Sequence, residues 1–136
     1  MGKFDRAPRN LVLCVDDEPQ LVQTIALDVS RAGFRVAVAE NGVAGLGAFL
    51  RLKEEVCLVV TDIIMPVMNG IDMAQRIVWF EPHAKILLMS AYSDDETGRR
   101  RSHNRFPFLR KPFRLATLIE KIQAIVGAPQ VSASSR

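Results

Sequence analysis

Short, continuously apolar segments, spaced by stretches of helical period, constrain this chain more than any other feature. "LVLCV" at 11–15 is apolar throughout, and "VCLVVT" at 56–61 is apolar up to its closing threonine. "RVAVA" at 35–39, "AKILLMS" at 84–90 and "FPFL" at 106–109 complete a set of five candidate strands. A strand with no polar face is covered on both faces, which is the condition at the centre of a parallel sheet. Between the strands, apolar residues recur at helical spacing: Leu21, Val22, Ile25, Ala26 and Val29; Leu46, Phe49 and Leu50; Ile71, Ala74, Ile77 and Val78; then Leu115, Leu118, Ile119, Ile122, Ile125 and Val126. Pro19 suits a first helical turn, Pro82 stops the third helix, and Gly33 and Gly127 close the first and last. Such alternation predicts an α/β fold, a doubly wound parallel sheet with helices on both faces.

The chain has 136 residues, 49% of them hydrophobic, enough for one domain with its own core. No unbroken apolar run approaches the ~18 residues of a membrane span, and "MGKFDRAPRN" lacks the apolar stretch of a secretory signal. Cys14 and Cys57 lie in apolar runs without a CxxC partner, so both are read as buried thiols in a reducing cytoplasm. A net charge of +3 is too mild to imply nucleic acid. Residues 1–9 read as an N-terminal extension, 10–127 as the domain, and 128–136, "APQVSASSR", as a disordered tail or the start of a linker.

In open parallel sheets, ligands bind beyond the carboxyl ends of the strands. Asp16 and Asp17 follow the first strand, Asp62 the third, Ser90 ends the fourth and Lys111 follows the fifth, so all are predicted at one edge of one sheet. Adjacent carboxylates repel, and a buried pair would hold a proton unless a cation stood between them. Three such groups suit a hard divalent ion, and Mg2+ takes a few carboxylates, keeps waters and shares phosphate oxygens. A lysine and a hydroxyl beside them supply the charge and hydrogen bond a phosphoryl group needs. Blander roles exist for each: Asp16 and Asp17 as an N-cap pair before Pro19, Asp62 as a loop acid, Lys111 as a solvated charge, Ser90 as a cap. They account for the residues singly and not for their joint placement. "GVAGLG" at 42–47 has its glycines in the wrong order for a GxGxxG phosphate loop and reads as turn and packing glycines.

"VDDE" at 15–18, "TDIIMPVMNG" at 61–70, "MSAYS" at 89–93 and "RKPF" at 110–113, in this order and spacing, resemble a response-regulator receiver domain of the CheY-like superfamily, the phosphoacceptor half of two-component signalling. The resemblance implies a flavodoxin-like (βα)5 fold with a five-stranded sheet of order 2-1-3-4-5. It implies that Asp62 is the phosphoacceptor. Mg2+ would be bound by the side chains of Asp17 and Asp62 and the backbone carbonyl of Ile64, with Asp16 acting mainly through water. Ser90 and Lys111 would hold the phosphoryl oxygens. Pro66 and Gly70 would shape the loop after the acceptor, and Lys111–Pro112 would be cis. The implied partner is a sensor histidine kinase or phosphotransfer protein. A homodimer or effector would use the face of the fourth and fifth helices, and direct contact with nucleic acid or membrane is not expected. The module would be no enzyme beyond promoting its own phosphorylation and dephosphorylation. The alternatives are a degenerate receiver serving as a scaffold, and an aspartyl-nucleophile phosphatase, for which "DDEP" lacks the second aspartate two positions on.

Three features depart from the family pattern. The switch pair is Ser90 and Phe108, and Phe108 carries no hydroxyl, so switching must come from ring burial. Ile64 and Tyr92 occupy the positions that tune hydrolysis, and an apolar Ile64 cannot hold water in line, so a long-lived acyl phosphate is expected. "SDDETGRRRSHNR" at 93–105, where the family has its fourth helix, contains no large apolar residue, so a weak or irregular helix is expected. Its arginines, Arg99, Arg100, Arg101 and Arg105, make a basic segment that is either a solvated loop or a docking surface for an acidic partner.

Overall fold

A computed structural model of the chain describes residues 9–91 and 106–129. The strands are β1 (Leu11–Val15), β2 (Arg35–Ala39), β3 (Val56–Asp62), β4 (Ile86–Ser90) and β5 (Phe108–Arg110). The helices among the described residues are α1 (Pro19–Arg31), α2 (Gly42–Leu52), α3 (Gly70–Phe80) and α4 (Leu115–Val126). All strand pairs are parallel and the order is β2-β1-β3-β4-β5. The expected weak fourth helix, the basic run Arg99–Arg105, Tyr92, and most of the N-terminal extension and C-terminal tail lie outside the described residues.

The period-2 geometry of strands divides the apolar runs between two layers. Leu11, Leu13 and Val15 of β1, Val59 of β3, and Ile86 and Leu88 of β4 face one side with Phe49, Met73, Ala74 and Ile77 of α2 and α3. Val12, Cys14, Leu58, Val60, Leu87 and Met89 face the other with Val22, Ile25 and Val29 of α1 and Leu118 and Ile122 of α4. β1, β3 and β4 are interior, and β1 and β4 are buried at every position. β2 is an edge with exposed and half-buried residues. Each fully buried Leu or Ile contributes about 1.5–3 kcal/mol, so the two layers supply the driving force and the sheet aligns its strand ends. At the end of α1, Gly33 takes φ +105, a left-handed conformation that glycine adopts without a Cβ penalty.

Three strand boundaries shift and one burial expectation is corrected. The third strand runs to Asp62 rather than stopping at residue 61, because Asp62 still pairs with Met89 of β4, so the acid ends the strand instead of following it. The fourth strand begins at Ile86, not residue 84, because Ala84 closes a turn back to the Glu81 carbonyl. The fifth occupies 108–110, not 106–109; Pro107 has no N–H to offer the ladder, although its carbonyl accepts the Leu88 amide at 2.9 Å. Cys57, expected to be buried, is only partly so; it sits near the start of β3 at a register irregularity, where Leu11 pairs with Val56 and Val12 with Leu58.

Cys14 is fully enclosed, and burial pushes its thiol up to about 12. A thiol whose folded pKa lies above its unfolded value of about 8.5 contributes stability that is whole below that pH and is lost as the pH rises through 12. Native protein is therefore expected to leave Cys14 unreacted with a thiol reagent at pH 8, to react there only on unfolding, and to lose thermal stability steadily above pH 9. Rapid native labelling of Cys14, mapped by mass spectrometry, would contradict the packing.

Candidate functional site

β1, β3 and β4 end level with one another, and the chain leaves β5 directly into Lys111. This register brings the sequence-predicted residues together. Val15 pairs with Thr61, Asp62 with Met89 and Ser90 with Arg110. The Lys111 amide donates to the Ser90 carbonyl at 2.8 Å, and the Lys111–Pro112 bond is cis.

Asp16 is fully buried. Its Oδ2 accepts a hydrogen bond from Lys111 Nζ at 3.0 Å and its Oδ1 accepts one from the Glu18 amide at 2.9 Å. The helix-cap role weighed for the acid pair is thus met only in this turn before α1; the N-cap is Glu18, which makes no side-chain cap. Asp62 is 8% exposed, and its Oδ1 lies 3.4 Å from Lys111 Nζ. Asp17 is exposed at the rim, and one oxygen from each of Asp16, Asp17 and Asp62 lies within 4.8 Å of the others. Glu18, to which the sequence assigned no role, reaches to 3.8 Å of Lys111 Nζ; its signal was only adjacency to the acid pair.

The electrostatics follow from burial and crowding. Asp62 is pushed up to about 6, first by burial; the positive Lys111 opposes this and the negative Asp16 adds to it. Burial by itself lowers the Lys111 ammonium, but the hydrogen bond to Asp16 and the charges of Asp62 and Asp16 outweigh it and raise the pKa. Lysine therefore stays charged within a group of acids it cannot neutralise alone.

The loop after Asp62 is fixed at both ends. The Ile63 amide donates to the Met89 carbonyl at 2.9 Å, and the Gly70 amide donates to the Ile63 carbonyl at 2.8 Å. Gly70 is buried against the strand end, and a Cβ there would meet the Asp62 carbonyl oxygen at 2.1 Å. Asn69 caps α3 through the Asp72 amide at 2.8 Å. Pro66 is exposed and its carbonyl accepts the Met68 amide across Val67, which takes φ 71. Ile64 is half-exposed beside the acceptor. Ser90 is fully buried, and Phe108 is partly buried against the α2–α3 core layer. The two glycines at the start of α2 also pack closely. A Cβ on Gly42 would meet the Met68 carbonyl at 2.4 Å and one on Gly45 the Met73 sulfur at 2.7 Å, in keeping with packing rather than phosphate binding.

The sequence model for the response regulator receiver domain matches residues 12–123. The chain belongs to the response-regulator receiver family. This receiver is 29% identical over 124 residues to the response regulator receiver protein CpdR of Brucella abortus (strain 2308), covering 86% of this chain and 97% of that one. It is 30% identical over 116 residues to the sensor kinase CckA of the same organism, covering 85% of this chain but 12% of the kinase. Among solved structures, it superposes on the response regulator TrrA of Thermotoga maritima, determined in complex with Mg2+–BeF, with a TM-score of 0.76 and 30% identity over 85% of this chain and 98% of that one. It is thus a two-component signalling module. No helix among the described residues is long and apolar enough to cross a membrane.

Proposed function

We propose that this receiver accepts a phosphoryl group on Asp62 from a phosphohistidine of a sensor histidine kinase or phosphotransfer protein, with Mg2+ at the acidic cluster. The convergence of Asp16, Asp17 and Asp62 on one lysine at a strand edge carries this reading. An all-oxygen donor set crowded within 4.8 Å, with more negative charge than Lys111 balances, fits a hard divalent cation. The Mg2+–BeF complex of TrrA supports the same reading. Asp17, Asp62 and the Ile64 carbonyl would hold the ion, with Asp16 acting through water; when bound, it supplies charge neutralisation for the phosphoryl oxygens.

The chain's own groups do the rest. Asp62, at about 6, is largely ionised at neutral pH and available as the nucleophile. One of its oxygens forms the new bond to phosphorus as the phosphorus–nitrogen bond breaks, and the electron pair leaves with the imidazole. Lys111, already 3.4 Å from Asp62, pairs with the equatorial oxygens, and the Ser90 hydroxyl hydrogen-bonds them. Movement of Ser90 toward the phosphoryl group lets the Phe108 ring settle deeper, which is the switch. Ile64 places no polar atom where a hydrolytic water would be held, so the acyl phosphate is long-lived.

Incubating the full chain with a small phosphodonor and Mg2+ tests this. One phosphoryl group per chain is expected, mapped to Asp62, with slow decay and no continuing release of phosphate. Sustained turnover would make the protein a phosphatase, an unmodified chain would make it a scaffold, and decay as fast as the quickest chemotaxis-type receivers would sink the role given to Ile64.

A further inference from the structure

We infer that the outer face of α3 is a self-association surface on which a second copy of this chain docks antiparallel, independently of the phosphoacceptor site. The buried stripe of α3 is Met73, Ala74 and Ile77, leaving Asp72, Gln75, Arg76, Trp79 and Phe80 exposed on the opposite side. Trp79 is 83% exposed and Phe80 53%, and together with the three polar residues they line a shallow groove of about 480 Å³. Tryptophan buries about 150–250 Å² when covered and is enriched at the centres of protein interfaces, so leaving it in water at the end of a core helix forfeits a large hydrophobic contribution.

Charge selects the occupant. Asp72 and Arg76 stand one turn apart on this face, and neither makes an ion pair among the described residues. A face carrying one acid and one base is complementary to itself under two-fold symmetry, where residue i meets j and j meets i. An antiparallel copy centred between them sets each Asp72 opposite the other copy's Arg76, the two pairs lying about 6 Å apart along the helix axis. The same register lays each Trp79 over the first turn of the opposing α3, beside Asn69. The area of one helix face falls well short of the ~1,600 Å² of a standard interface, so the dimer is weak and concentration-dependent.

Trp79 is the sole tryptophan, so its emission reports this face alone. Raising the concentration of the full chain is expected to blue-shift the emission in step with a monomer–dimer equilibrium in sedimentation. Asp72→Arg and Arg76→Asp are each expected to weaken the dimer at least tenfold. An equimolar mixture of the two variants is expected to restore it, because both cross-pairs are then satisfied; this recovery also shows that each variant is folded. Trp79→Ala is expected to abolish association while leaving labelling by a small phosphodonor unchanged. A chain that stays monomeric at millimolar concentration, single reversals that associate like the parent, or a mixture no better than its components would each overturn the inference, whatever the outcome of the phosphorylation experiment.

Discussion

Asp62→Asn is expected to abolish the acyl phosphate and, in the absence of divalent metal, to raise the unfolding temperature at neutral pH. The first effect follows from the chemistry, since an amide oxygen in place of the carboxylate is not a nucleophile. The second follows from burial. Asp62 has a folded pKa of about 6, against about 3.9 for a free aspartate. The folded state therefore holds its proton more tightly than the unfolded state does. The associated stability is whole below pH 4 and is lost as the pH rises through 6. At pH 7 the folded protein carries a charge it would rather not hold, with 11% of that side chain open to water. Two pK units correspond to about 3 kcal/mol, and the amide must still find hydrogen-bond partners, so a gain of about 1–3 kcal/mol is expected. That is a rise of several degrees in a domain of this size. Saturating Mg2+ should narrow or reverse the gap, because the parent gains ligand-binding stability that the variant largely lacks. Melting curves of both proteins in EDTA and in Mg2+, at pH 5 and 7, check the argument. A variant less stable than the parent at pH 7 in EDTA would mean that Asp62 is not an electrostatic burden.

That burden shows what could be read from the chain and what could not. The sheet was legible because strand-like runs alternate with segments of helical period, and "LVLCV" and "VCLVVT", apolar on both faces, agree with interior parallel strands. The meeting of Asp16, Asp17, Asp62, Ser90 and Lys111 followed, since parallel strands deliver their carboxyl ends to one edge. What escaped depends on distances between elements rather than on pattern. Lys111 sits closer to Asp16, at 3.0 Å, than to Asp62, and Glu18 joins the group. No spacing rule orders three acids around one lysine. Cys57 lies in an apolar run, yet it is partly open at the irregularity where β3 slips against β1, with Val56 opposite Leu11 and Leu58 opposite Val12, which the apolar pattern does not announce. The α4 stripe named six apolar residues, but only Leu118 and Ile122 are fully buried, since the face a helix can bury is narrower than the face it can make apolar. At the fifth strand, Pro107 moved the boundary by removing an amide from the ladder.

Gly70→Ala is the sharpest test of how the acceptor is held in place. The family resemblance implies that Gly70 shapes the loop after the acceptor; the reason for glycine here is space rather than an unusual backbone angle. A methyl group would stand 2.1 Å from the Asp62 carbonyl oxygen, 3.0 Å from its carbon and 3.1 Å from the Ile63 Cα. All three atoms are backbone, and Ile63 is tied into the sheet through the Met89 carbonyl. None of them can swing aside as a side-chain tip would. Either α3 withdraws from the strand end, breaking the 2.8 Å bond from the Gly70 amide to the Ile63 carbonyl, or β3 shifts and carries Asp62 away from Lys111. Overpacking of this kind costs about 1–3 kcal/mol or more, and a displacement of the nucleophile by about 1 Å can slow a positioned reaction 100-fold. The expected result is a lower melting temperature together with a steep fall in the rate of Asp62 labelling. Gly47→Ala provides the control, because a Cβ there meets only the Arg51 guanidinium at 4.0 Å. In the interior of α2 that change should stabilise by about 0.5–1 kcal/mol through helix propensity and leave labelling untouched. If Gly70→Ala labels at the parent's rate, the close approach of α3 to the Asp62 carbonyl does not position the acceptor.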